Sequence, residues 1–257
     1  MRFLALIPAR YASTRFPGKP LAKLGDKYII QRVYERVSDL FDCTYVATDD
    51  DRIASAVESF GGKAIMTSTD HKSGTDRCWE AAYKLGQENF DVVVNIQGDE
   101  PFIHPSQLES IKNCFSDNST QIATLVKPFD RNTLFSALKD PNSPKVVISR
   151  DMKALYFSRS IIPYIRGVGE NKWLENHTFY KHIGMYAYRM PVLKEIASLE
   201  QTPLEKAESL EQLRWLENGY TIKVGITEIE TVGIDTPEDL QKAERFLRKT
   251  EKILPQA

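Results

Sequence analysis

The sequence lacks long apolar runs, paired cysteines and an excess of either charge. No apolar run approaches the roughly 20 residues needed to cross a bilayer, and Phe3–Ile7 is too short for a signal peptide. Three separated cysteines without a C-x-x-C pair argue against a disulfide framework or a zinc cluster. The 34 Lys and Arg residues balance 35 Asp and Glu residues, unlike the basic surplus of nucleic-acid-binding proteins. We therefore expect a cytoplasmic protein that binds neither nucleic acid nor membranes.

The composition that remains is that of a globular protein. The chain has 257 residues, of which 42% are hydrophobic and 27% are charged, so wholesale disorder is excluded. Internal repeats, low-complexity segments and a Gly/Ser linker are absent. Length and continuity together predict one domain with a smaller lobe inserted or appended.

The first half alternates short apolar runs with segments of helical period. The apolar runs, which we interpret as strands, are Phe3–Ile7, Thr44–Ala47, Ala64–Met66 and Val92–Ile96. The segments between them, predicted as helices, are 29–40, 53–60 and 75–85. This order predicts an α/β fold with a mostly parallel, Rossmann-like sheet flanked by helices and joined by right-handed crossovers. Ligands of such sheets bind outside the carboxyl ends of the strands.

The second half is less regular. Its predicted strands are 122–126, 146–149 and 180–189, and its predicted helices are 192–198, 204–217 and 237–249. The last helix has the clearest start, since Thr236 is suited to cap it and Pro237 to occupy its first turn.

The segment Pro8–Pro20 follows the first predicted strand and is rich in cations. Arg10, Arg15 and Lys19 accompany hydroxyl groups and a glycine. Guanidinium forks, a lysine charge and backbone N–H groups are what a polyphosphate requires. The segment is not a Walker A loop, because Lys19 precedes Pro20 and not a hydroxyl residue. We therefore predict phosphate binding here, the alternative being a solvated basic loop.

Three other segments carry polar side chains that fit the same site. In Asn95–Pro101, Asp99 follows a strand and offers the carboxylate oxygens that Mg²⁺ prefers. Asp70–Arg77 places hydroxyls and cations at a predicted helix N-terminus. Asp235 precedes the last helix, and on spacing alone capping is the better explanation for it.

Together these segments resemble the 3-deoxy-manno-octulosonate cytidylyltransferase family, the CMP-Kdo synthetases. The resemblance rests on Ile7–Leu21, Val46–Asp49, Asp70–Arg77, Asn95–Pro101, Ala154–Ser160, Lys181–Tyr188, Glu208–Arg214 and Gly233–Asp239. It covers nearly the whole chain in the family's order. The first segment is shared by many sugar nucleotidyltransferases, whereas those of the second half are specific to the Kdo branch.

The resemblance implies an enzyme that couples CTP to 3-deoxy-D-manno-octulosonate (Kdo), giving CMP-Kdo and diphosphate for lipopolysaccharide biosynthesis. The sugar's anomeric hydroxyl would attack the α-phosphorus of CTP directly, assisted by Mg²⁺. It also implies a homodimer and a single nucleotidyltransferase domain. Within that domain we expect a nucleotide-binding half over about 1–130, a sugar-binding and dimerisation lobe over about 131–230, and a C-terminal helix over 237–250.

The family's site residues carry over to matching positions of this chain. CTP would contact Pro8, Ala9, Arg10, Ser13, Arg15, Lys19, Ser73, Gly74, Arg77 and Gln97. Kdo would contact Gln97, Arg159, His182, Tyr188, Glu211 and Gln212. Asp99 and Asp235 would hold the metal, and Arg10, Lys19, Asp99 and Asp235 would be the catalytic residues.

One departure from the family keeps another enzyme class open. Asp49-Asp50-Asp51 replaces the Asp-His-Glu of many relatives, and D-x-D is a metal signature of nucleotide-sugar glycosyltransferases. Acids at a helix N-terminus are the simpler explanation. Further alternatives are a nucleotide-binding regulatory module without turnover, and an acceptor other than Kdo, such as its 8-amino analogue or sialic acid.

Overall fold

The computed structural model describes residues 1–13, 15–230 and 233–251. The chain divides into two compact units, one formed by Met1–Pro105 with Thr231–Ala257 and the other by Ser106–Glu230. The domain boundaries expected from the sequence stay a prediction. Among the described residues, none of the helices is both long enough and apolar enough to cross a membrane.

The first unit is built on a parallel sheet. Its elements are β1 (Phe3–Ala9), β2 (Lys23–Leu24), β3 (Lys27–Tyr28), α1 (Ile29–Ser38), β4 (Thr44–Thr48), α2 (Asp51–Ser59), β5 (Ala64–Met66), α3 (Gly74–Lys84), β6 (Val92–Asn95) and α10 (Pro237–Glu251). The strand order is β6-β1-β4-β5, and every neighbouring pair is parallel. The expected α/β fold with a mostly parallel sheet is thereby confirmed.

Burial explains why these strands form. Leu4, Leu6 and Ile7 of β1 have no exposed surface, and neither have Val92 and Val93 of β6. Strands covered on both faces read as continuous apolar runs, and this is the pattern that the sequence shows. Each side chain of this size stabilises the fold by about 1.5–3 kcal/mol when fully buried.

Helix α10 returns the end of the chain to this unit. Ala243 and Leu247 of α10 pack with Leu24, Ile29 and Phe102 in one apolar cluster. The segment before α10 is fixed as well, since the Ile234 N–H donates to the Asp99 carbonyl at 3.0 Å. The Thr236 hydroxyl accepts from the Asp239 N–H at 3.2 Å, which confirms the predicted cap.

The second unit has a mixed sheet. Its elements are α4 (Pro105–Asn113, which leads into it), β7 (Ile122–Pro128), α5 (Phe135–Lys139), β8 (Lys145–Ile148), β9 (Ala154–Ser158), α6 (Trp173–Asn176), β10 (Tyr180–Arg189), α7 (Met190–Ala197), α8 (Pro203–Glu208), α9 (Gln212–Glu217) and β11 (Ile222–Ile226). Strand β11 is parallel to β7, whereas β7–β10, β10–β8 and β8–β9 are antiparallel. A single helix over 204–217 was wrong, because Ser209 adopts a left-handed conformation with φ 49° and separates α8 from α9.

Candidate active site

A cavity of about 300 Å³ lies in the first unit beyond the carboxyl ends of β1 and β6. Its lining residues are Pro8, Ala9, Arg10, Ser13, Arg15, Lys19, Pro20, His71, Lys72, Ser73, Gly74, Arg77, Gln97, Gly98, Asp99 and Asp235. All ten residues expected to contact CTP are among them, together with both expected metal ligands. The structure thus brings these side chains to one cavity, as the strand-end rule predicts. Their individual roles stay predictions.

The loop after β1 is closed by a backbone hydrogen bond at its base. The Gly18 N–H donates to the Tyr11 carbonyl at 3.0 Å. Gly18 has φ +70°, and a Cβ atom there would lie 3.1 Å from the Tyr11 ring. Both the left-handed backbone and the close ring therefore favour glycine. Within the loop the Phe16 N–H donates to Ser13 Oγ at 3.3 Å, while Thr14 lies outside the described residues.

Lys19 joins the two expected metal ligands. Its Nζ lies 2.6 Å from Asp99 Oδ2 and 3.2 Å from Asp235 Oδ1. Arg15 also reaches Asp235, at 3.4 Å. The cations offset the repulsion that would otherwise separate the two carboxylates.

The donor set around Asp99 and Asp235 fits a magnesium ion. Carboxylate oxygens are hard ligands, and Mg²⁺ takes one or two of them while substrate phosphates and waters supply the rest. Among the described residues no group of three His, Cys, Asp or Glu side chains could hold a metal on its own. Two carboxylates beside a cation-rich loop therefore suit a metal that arrives with a polyphosphate.

The three consecutive acids after β4 have separate structural partners. Asp49 Oδ2 accepts from Arg77 Nη2 at 2.8 Å, and both side chains are largely buried. Asp50 caps α2 by accepting from the Arg52 N–H at 3.0 Å, and the same carboxylate pairs with the Arg52 guanidinium. Asp51 lies exposed in the first turn of α2. This geometry favours capping and ion pairing over a D-x-D metal site.

Arg159 and Glu211, two of the residues expected to bind the sugar, lie in the second unit. The Arg159 guanidinium donates to the carbonyls of Glu208, Pro141 and Ser209 at 2.6, 2.8 and 3.2 Å. Glu211 accepts from Arg214 at 2.7 Å. These partners fix both charged side chains in the second unit.

The other expected sugar contacts of the second unit are partly buried, as His182 is, or buried, as Tyr188 and Gln212 are. His182 hydrogen-bonds to Thr124 Oγ1 at 3.0 Å, and burial lowers its pKa to about 3, so the ring is neutral near pH 7. Tyr188 has no exposed surface. Gln212 is 4% exposed, and its Nε2 has no hydrogen-bond partner among the described residues. An unpaired buried donor of this kind is costly unless something binds it.

Sequence reasoning missed several residues of both units. Pro20, His71, Lys72 and Gly98 line the cavity but were not assigned to it. His71 and Lys72 lie in the segment before α3 that the sequence analysis singled out, so their position was a usable signal. The sequence analysis also did not name Tyr186, whose ring centroid lies 5.3 Å from that of His182, an expected sugar contact. Its place on the same strand as His182 was the available signal.

Comparison with known proteins gives the family. The model of the cytidylyltransferase family matches residues 4–229. The chain belongs to this family. It is 67% identical over 251 residues to a 3-deoxy-manno-octulosonate cytidylyltransferase of Phocaeicola vulgatus, covering 98% of this chain and 99% of the relative. Identity to the Bacteroides thetaiotaomicron enzyme of the same name is 66% over 248 residues, covering 96% and 99%.

A solved structure agrees with these relatives. CMP:2-keto-3-deoxy-manno-octonic acid synthetase complexed with CTP superposes with a TM-score of 0.88 at 40% identity, covering 97% of this chain and all of that one. The resemblance stated from the sequence motifs is therefore confirmed. The protein is a nucleotidyltransferase of the Kdo cytidylyltransferase type.

Proposed function

We propose that the protein activates Kdo with CTP, forming CMP-Kdo and diphosphate for lipopolysaccharide biosynthesis. The observation that carries this proposal is the cavity in which Arg10, Arg15 and Lys19 lie beside Asp99 and Asp235. Such an arrangement suits a nucleoside triphosphate that arrives with a divalent cation. That the base is cytosine and the sugar is Kdo is inferred from the activity of the relatives named above.

In the proposed reaction the anomeric hydroxyl of Kdo attacks the α-phosphorus of CTP, and diphosphate leaves. Arg10, Arg15 and Lys19 bind the triphosphate and stabilise the negative charge that builds on the transferred and leaving groups. Asp99 and Asp235 are the residues that would hold Mg²⁺, which supplies charge neutralisation and a lowered pKa of the attacking hydroxyl. No cysteine takes part, since direct displacement needs no covalent enzyme intermediate.

The sugar is assigned to Gln97 of the cavity and to Arg159, His182, Tyr188, Glu211 and Gln212. The neutral ring of His182 suits it to hydrogen bonding with a sugar hydroxyl and not to charge neutralisation. Nε2 of Gln212, for which the described part of the chain offers no hydrogen-bond partner, supports the same assignment, because a sugar hydroxyl could accept its hydrogen bond. We also propose that the enzyme acts in the cytoplasm as a homodimer.

The test is diphosphate release from CTP and Mg²⁺, measured with and without Kdo and with ATP, GTP and UTP in place of CTP. Release that requires both CTP and Kdo is the expected result. Release with 8-amino Kdo or sialic acid but not with Kdo would overturn the sugar assignment alone. Binding of CTP without release on addition of any of these acceptors would overturn the proposed reaction and return the regulatory-module alternative.

A further inference from the structure

The loop after β1 is contacted from outside the cavity by the first turn of α2. The guanidinium carbon of Arg52, the second residue of α2, lies over the Tyr11 ring, 3.4 Å from its centroid. A guanidinium over an aromatic face is attracted by the negative charge of that face. Neither Tyr11 nor Arg52 lines the cavity within the part of the chain that the structure describes. Arg52 therefore supports the loop from behind, and the proposed reaction assigns it no role.

Asp50 fixes the orientation of the Arg52 side chain. Arg52 Nε donates to Asp50 Oδ1 at 2.9 Å and Nη2 donates to Oδ2 at 2.6 Å, so the pair is bidentate. Hydrogen bonds from the guanidinium lower the pKa of Asp50, which is therefore ionised near pH 7. Because the carboxylate offsets the charge of Arg52, that residue acts on the loop through its contact with Tyr11 and not as an additional cation. The middle acid of the Asp49–Asp51 run thereby has a purpose besides capping α2.

Tyr11 joins the two arms of the loop. Its carbonyl accepts from the Gly18 N–H at 3.0 Å, and a Cβ atom on Gly18 would lie 3.1 Å from its Oη. Arg10 directly precedes Tyr11, Lys19 directly follows Gly18, and both cations line the cavity. A side chain that holds the Tyr11 ring therefore helps to fix a cation on each arm.

A loop that is ordered before the nucleotide arrives binds it more tightly. Fixing the backbone of a residue costs conformational entropy, and a contact already present in the free protein removes part of that cost from binding. We propose that Arg52 is a positioning residue for the triphosphate: it stacks on Tyr11 and holds the cation-bearing loop at the cavity before CTP binds. This inference rests on the proposed function, which assigns the triphosphate to that loop.

The test is a double-mutant cycle on the dissociation constant for CTP, measured by calorimetry in the presence of Mg²⁺. Arg52→Gln removes the cation, and Tyr11→Leu removes the ring. The Arg52 side chain is 60% exposed, and a cation–π contact at an exposed site changes an equilibrium constant by about two- to fivefold. Arg52→Gln should weaken CTP binding by that factor, and Tyr11→Leu by at least as much. The double variant should bind CTP no more weakly than Tyr11→Leu, because both changes break one contact.

Two further variants control for charge and for folding. Lys63→Gln removes an exposed cation of the same unit whose Nζ lies 5.6 Å from the ring centroid of Tyr45. Its affinity for CTP should equal that of the wild type. Tyr11→Phe keeps the ring and should bind CTP at least about twofold more tightly than Tyr11→Leu. Thermal unfolding by circular dichroism identifies variants that fail to fold.

Kinetics distinguish positioning from a general structural effect. In Arg52→Gln the KM for CTP should rise by about two- to fivefold, whereas kcat and the KM for Kdo should not change, since bound nucleotide orders the loop in either protein. The inference is wrong if Arg52→Gln binds CTP as the wild type does, if Lys63→Gln weakens binding equally, or if the factors of the two single variants multiply in the double variant. A protein that shows the expected binding pattern but releases no diphosphate with Kdo contradicts only the proposed function.

Discussion

Asp49→Ala is expected to destabilise the protein strongly. The Asp49 carboxylate pairs with Arg77 at 2.8 Å, and the two side chains are only 15% and 5% exposed. Without Asp49, Arg77 keeps its hydrogen bond to Thr67 Oγ1 but loses its counter-charge. Removing one partner of a buried pair costs about 3–5 kcal/mol, because the other charge is left buried and uncompensated.

The expected loss is measurable in an ordinary unfolding experiment. For a chain of this size 1 kcal/mol lowers the melting temperature by about 2–4 °C, so a loss of about 3–5 kcal/mol in Asp49→Ala should lower it by about 6–20 °C. Circular dichroism during heating and urea titration gives both the temperature and the midpoint. Asp51→Ala is the matched control, since Asp51 is exposed and contributes at most about 1 kcal/mol through its place in the first turn of α2.

A double variant tests the stated cause. Replacing both partners, in Asp49→Ala with Arg77→Met, removes the uncompensated charge and should restore part of the stability lost in Asp49→Ala. If Asp49→Ala is no less stable than Asp51→Ala, the ion-pair reasoning is refuted. If Asp49→Ala and Asp51→Ala instead both keep their stability and lose diphosphate release equally, the interpretation of Asp49 and Asp51 as a D-x-D metal site gains support.

Three further predictions concern the loop after β1, the partly buried His182 and the two acids of the cavity. Gly18→Ala should lower the free energy of unfolding by about 1–2 kcal/mol, measured in urea, because its φ is positive. Burial lowers the pKa of His182 to about 3 in the folded protein, so the unfolded chain binds the proton first and the free energy of unfolding falls as pH falls from 6.5 toward 3. By pH 5 the loss should reach about 2 kcal/mol and should shrink in His182→Gln. Asp99→Asn and Asp235→Asn should each reduce diphosphate release by about 100-fold or more without altering the circular dichroism spectrum, and chelating Mg²⁺ should stop release.

The parallel sheet of the first unit could be predicted because burial leaves a direct mark on sequence. A strand such as β1, covered on both faces, is an unbroken apolar run, and Arg2 and Arg10 lie just outside it. The second unit gives weaker signals. In β9, Leu155 is 59% exposed while Phe157 is fully buried, and β11 contains Lys223 and Gly225. The sequence analysis missed both five-residue strands, although Ala154–Phe157 is a short apolar run and Ile222, Val224 and Ile226 alternate with Lys223 and Gly225.

The break between α8 and α9 had no sequence signal. Helix breaks are usually read from glycine or proline, yet the residue with φ 49° here is Ser209. At this turn the Arg159 guanidinium donates to the carbonyls of Glu208 and Ser209, at 2.6 and 3.2 Å. A turn whose carbonyls accept from a side chain 49 residues away depends on tertiary contacts that local propensity does not contain.

The candidate site shows the same division between local and distant information. The loop after β1 and the segment before α3 could be located from sequence, because the strand-end rule depends only on where strands end. The link between Lys19 and its acids spans 80 residues to Asp99 and 216 to Asp235, and no local pattern encodes it. The Ile234 N–H bond to the Asp99 carbonyl is what brings Asp235 to the cavity. On spacing alone Asp235 was therefore indistinguishable from a helix cap, and only the folded chain shows that it shares a lysine with Asp99.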